Sequence, residues 1–141
     1  MSKIRHTVMI GLLLLVGAAV VAAACTKPAA SNGTIQGGVT IGPVFPGPVS
    51  IGDNRAVPPE VFAARKVVIY DSSGKNLVQT VDIRQADQGA NGYYVVQLKP
   101  GTYVVDLKKN GIDHAQQVPK TVTVTAGQVV TVDIDIDTGI R

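Results

Sequence analysis

From residue 34 onward, apolar and polar side chains alternate in short runs broken by glycine, proline, asparagine and aspartate. That period of two is the mark of strands that bury one face. TYVVDLK (102–108) sets Tyr103, Val105 and Leu107 on one side, with Asp106 and Lys108 on the other. KTVTVT (120–125) turns Val122 and Val124 inward, and VVTVDIDID (129–137) aligns Val130, Val132, Ile134 and Ile136. Further strands are expected at TIQGGVTI (34–41), at 48–51, at VFAARKVVIYD (61–71) with 65–71 as its centre, at LVQTVDI (77–83) with Leu77, Val81 and Ile83 on one face, and at YYVVQL (93–98). Gly37 and Gly38 mark a bulge or a close backbone approach in the first of these. The segment 42–60 holds five of the eight prolines, which cannot donate ladder hydrogen bonds, so it reads as mostly loop. Loops also fall at 84–92 and 109–119, and Lys99-Pro100-Gly101 makes a tight turn. Seven or so strands with no helical pattern after residue 24 predict an all-β, two-sheet sandwich over residues 34–141.

The first 24 residues follow a different rule. Lys3, Arg5 and His6 precede an uncharged apolar run over residues 8–24, the layout of an export signal with a basic start and an apolar middle. The run ends in Ala22, Ala23 and Ala24 and leads directly into Cys25, the single cysteine of the chain. Small residues before a cysteine resemble a bacterial lipobox. The resemblance implies cleavage before Cys25 and a diacylglyceryl group on its sulfur, with residues 1–24 as signal peptide and 25–33 as lipidated cysteine and flexible spacer. The alternative is an uncleaved anchor helix, because seventeen apolar residues sit at the short edge of what crosses ~30 Å of hydrocarbon. Both readings export the rest of the chain and hold it at a membrane. Thr26 in place of an aspartate permits the outer membrane as well as the outer face of the cytoplasmic one.

Composition changes once that segment is set aside. The formal charge of +3 falls to about +1, because removing Lys3 and Arg5 leaves 11 basic against 10 acidic residues. No basic patch interleaved with aromatics remains, so nucleic acid is not an expected partner. With Cys25 lipidated, no thiol is left for disulfide, redox or zinc chemistry, and stability must come from packing.

PGTYVVDL, TVTVTAGQVVTVDIDI and the opening GTIQGGVT together resemble the carboxypeptidase regulatory-like, or transthyretin-like (prealbumin-like), sandwich modules of secreted bacterial proteins. The resemblance covers about residues 33–137 and implies a structural, adhesive or accessory module, its protein or glycan partner open. With no nucleophile motif, phosphate-cradling loop or clustered metal ligands in the sequence, neither enzymatic activity nor a bound cofactor is expected.

Three groups of residues are candidates for chemistry. Asp133, Asp135 and Asp137 alternate on one strand face, spaced about 6–7 Å apart. They form either a solvated face that deters edge pairing or part of a calcium site, although calcium needs six to eight oxygens within ~2.3–2.6 Å. Tyr93 and Tyr94 are neighbours on a strand, so one faces the core and the other the surface, where it could stack on a sugar or anchor a protein. His114 follows Asp113 in a loop, and adjacent side chains on extended backbone point apart, which argues against a catalytic pair.

Overall fold

The computed structural model describes residues 31–48, 55–86, 89–108 and 110–141. The expected signal peptide, Ala22, Ala23, Ala24, Cys25, most of the spacer and most of the short strand at 48–51 lie outside those residues. Among the described residues no helix is long and apolar enough to cross a membrane.

Two sheets face each other across one core. The first contains β1 (Gly33–Gly42), β4 (Arg84–Gln85), β5 (Asn91–Leu98), β8 (Val129–Thr131) and β9 (Ile134–Asp137). The second runs β3 (Leu77–Asp82), β2 (Lys66–Asp71), β6 (Gly101–Lys108), β7 (Lys120–Val124). Strict alternation in β1 and β5 sends Ile35, Val39, Ile41, Tyr94, Val96 and Leu98 inward, where they meet Val67, Ile69, Val105, Leu107, Val122 and Val124 of the opposite sheet. The all-β, two-sheet sandwich expected from the alternation is the fold observed.

β1 is the organising strand. It pairs antiparallel with β5 over eight positions on one side and parallel with β8 and then β9 on the other. The first strand of the domain therefore lies inside its sheet, and the last two close the far flank.

Several boundaries differ from the pattern reading. Pro59–Ala63 forms a short helix, α1, inside what reads as loop and the start of a strand. Proline at its first turn is pre-set for helix, and Phe62, 1% exposed, gains its burial by turning into the core. The following strand starts at Lys66. The loop at 84–92 holds the two-residue β4 and the first turn of β5. Leu77 does not share a face with Val81 and Ile83: the register between β2 and β3 shifts at Ile69/Tyr70, leaving Leu77 57% exposed while the other two are buried. Finally, the stretch 129–137 is two short strands, interrupted at Val132 and Asp133.

Candidate functional site

The interruption at Val132 and Asp133 organises the outward face of the first sheet. Pairing offsets are identical on either side of it, Gln36 opposite Thr131 and Val39 opposite Ile134, so no residue is inserted. Gly37 and Gly38 are thus a close backbone approach and not a bulge. A Cβ on Gly37 would lie 1.9 Å from the Val132 carbonyl oxygen and 2.9 Å from the Tyr94 ring. The absent side chain lets Tyr94 reach beneath β1, where its hydroxyl donates to the Val132 carbonyl at 2.7 Å. Asp133 then takes over the ladder with its side chain: its Oδ1 accepts the Gly38 N–H at 2.8 Å. Burial, with the nearby Asp133 charge, pushes the Tyr94 phenol well above its usual range, so this donor stays protonated. Of the two tyrosines, Tyr94 is core and Tyr93 is surface, 42% exposed.

Tyr93 stands opposite Gly38 on β1 and opposite Arg84 on β4. One step along, Val95, Gln36 and Thr131 form the next outward row. Tyr93, Gly38, Val95, Gln36 and Thr131, with Asp133, line a shallow groove of about 330 Å³, and Arg84 stands outside it.

The three aspartates go separate ways. Asp133 is tied to Gly38, whereas Asp137 receives the Arg141 guanidinium at 3.0 Å and the Gly139 N–H at 2.8 Å. Those donors hold the Asp137 carboxyl down at about 2. The Asp135 backbone N–H donates to the Gln117 side chain. Among the described residues no three His, Cys, Asp or Glu side chains gather where they could hold an ion. A cation approaching Asp137 would have to displace an arginine.

His114 exchanges two backbone hydrogen bonds with Asp137, at 2.9 and 2.8 Å, which pins its loop to the end of β9. Its neighbour Asp113 points into the protein and forms a buried bidentate ion pair with Arg65, Nε to Oδ2 at 2.7 Å and Nη2 to Oδ1 at 2.9 Å. Arg65 also donates through Nη1 to the Val61 carbonyl, closing the end of α1. Sequence reasoning missed this pair. Its only signal was an arginine at the edge of an apolar run and an aspartate in a polar loop, 48 residues apart.

Described parts of the loops at 42–60, 84–92 and 109–119 collect around the end of β1. A cleft of about 250 Å³ is lined by Ile41, Gly42, Pro43, Phe45, Arg55, Val57 and Ala90, joining parts of 42–60 and 84–92. The Arg55 guanidinium lies 4.2 Å from the centre of the Phe45 ring. A second cleft of about 380 Å³ shares Gly42 and Pro43 and adds His114, Gln117, Asp135, Asp137 and Arg141.

No protein-family model matches the chain, and no curated protein matches it by sequence. Among solved structures it is similar to a minor pilin of the gram-positive pathogen Streptococcus agalactiae, at 17% identity and a TM-score of 0.43, covering 76% of this chain and 44% of that one. It is also similar to a leucine-rich repeat protein from Bacteroides thetaiotaomicron (17% identity, TM-score 0.38, 77% of this chain, 14% of that one). A third is a DUF3823 family protein from Parabacteroides merdae (17% identity, TM-score 0.35, 77% and 47%). The chain spans less than half the length of each of the three.

Proposed function

We propose that the protein is an exported lipoprotein, anchored through Cys25 to the cell envelope, whose transthyretin-like sandwich works by binding and not by catalysis. The observation that carries this reading is the direction of β1. Its ten residues run from Gly33, the end closer to Cys25 along the sequence, to Gly42, where segments from 42–60, 84–92 and 109–119 converge. At ~3.3 Å per residue that separates the two ends by about 30 Å. A lipid on Cys25 would hold one end of the sandwich at the membrane and present the loop cluster at the other, facing outward.

Two residues of the loop at 109–119 serve the architecture, Asp113 through its side chain and His114 through its backbone. Asp113 neutralises a buried arginine, and His114 is tied through its backbone to Asp137. Such roles suit a rigid support for loops.

The test is the intact mass of the protein extracted from bacterial membranes, beside a Cys25→Ala control. A chain beginning at Cys25 with added acyl mass is expected, with the control lacking that mass and leaving the membrane fraction or keeping its first 24 residues. A full-length, unmodified wild-type chain would overturn the lipid tether.

A further inference from the structure

Gly38 is a glycine that neither the backbone nor the packing requires. Its φ is not positive, and a Cβ built on it would meet only Asp133 Oδ1, at an ordinary 3.5 Å. Glycine in the middle of a strand nevertheless lowers stability by roughly 0.5–1 kcal/mol relative to alanine. Gly37 beside it is explained by the overlap with Val132; Gly38 faces outward and is explained by nothing inside the molecule. With no bulge here, a strand glycine of this kind is a mark of close approach by a ligand or another backbone, and among the described residues no backbone fills the space over Gly38.

The surroundings identify that molecule. Across the outward face stand Arg84, then Tyr93, then the gap at Gly38, then Asp133. Strands lie ~4.8 Å apart, so β5 and the chain carrying Asp133 are separated by about 10 Å. The Asp133 carboxylate, bound to the Gly38 N–H, reaches in from one side, and Gly38 itself puts no side chain into the space. That gap admits one six-membered sugar ring. An aromatic ring borders it on one side, a carboxylate on the other, and an amide and a hydroxyl, from Gln36 and Thr131, close one end. A peptide strand cannot add here, because β1 is already paired on both edges. A charged ligand gains little where Arg84 and Asp133 flank the gap with opposite signs. Polyol hydroxyls, by contrast, match the carboxylate, amide and hydroxyl, and the apolar face of a sugar matches Tyr93.

We propose that the Gly38 gap between Tyr93 and Asp133 is a subsite for a neutral saccharide. The site lies on the flank of the sheet, apart from the loop cluster, and does not depend on the lipid.

The experiment is native affinity electrophoresis of the full chain, in detergent, through gels containing a β-glucan, a mannan, a galactan or a xylan. At least one of the four is expected to retard the protein. Tyr93→Ala and Gly38→Val should each weaken that retardation by roughly tenfold or more, while Leu77→Ala, on the other sheet, leaves it intact. A Gly38→Val protein that melts no lower than wild type shows that the gap was filled without loss of the fold. Free mobility in all four gels overturns the proposal, as a face used for a protein partner would give. So does retardation that either variant leaves unchanged. The Cys25→Ala protein must behave as wild type in these gels, so failure of the lipid tether and failure of the saccharide subsite are read separately.

Discussion

Gly37 and Gly38 are neighbours on β1, and the structure gives them opposite reasons for being glycine. At Gly37 the Val132 carbonyl occupies the space of a Cβ, so Gly37→Ala must push β1 off its parallel partner and break the Tyr94 hydroxyl bond beneath it. We expect a loss of about 1–3 kcal/mol or more. Gly38→Ala makes one ordinary van der Waals contact, with Asp133 Oδ1, and removes conformational freedom from the unfolded chain, so it should raise stability by about 0.4–1 kcal/mol. Urea denaturation of both variants checks the pair, and a destabilised Gly38→Ala would mean that the glycine serves the fold. The doublet was visible as a sign of close approach, and so was the division of labour between Tyr93 and Tyr94. Which tyrosine turned inward was not visible, because either parity satisfies an alternating strand. The register with β1 decided it.

At the level of elements, α1 and the loop that carries Asp113 are fastened by one buried ion pair. Removing either partner leaves the other charge buried, so Arg65→Ala and Asp113→Ala should each cost about 3–5 kcal/mol. Replacing both with apolar residues of similar size, Arg65→Met with Asp113→Leu, should cost far less than the sum, because no orphaned charge remains. Chemical denaturation of the four proteins completes the cycle, and simple additivity would show that the residues act separately. The smaller surface pairs are of another kind. Lys66 to Asp82 and Arg141 to Asp137 are solvent-accessible and contribute little. The helix itself illustrates where local pattern fails. Five residues are too few to show a helical period, and prolines that argue against a strand equally permit a loop or a helix start.

For the whole molecule, the dominant fact is that the first strand depends on the last two. β8 and β9 supply the parallel partners of β1 at three and four positions, and Val132, Ile134 and Ile136 with them enter the core. A chain lacking residues 126–141 should therefore lose cooperative thermal unfolding, followed by circular dichroism. Retention of a single sharp transition would show that the first sheet closes without those strands. This long-range closure also explains why a domain without disulfides can be rigid: its core draws on both sheets and on segments from both ends of the described chain.

The amino-acid sequence by itself determined the all-β class, most strand positions, the inward face of nearly every strand, and a lone cysteine after an apolar run. These are local properties, written in a period of two and in the placement of proline and glycine. Tertiary structure alone decided which strands pair and in what register. From that pairing came the insertion of β1 between β5 and β8/β9, the Arg65 to Asp113 clamp, the separation of the three aspartates, and the gap at Gly38 beside Tyr93. Contacts between residues 48 to 95 positions apart leave no periodic trace in the chain, since each depends on how the two sheets meet.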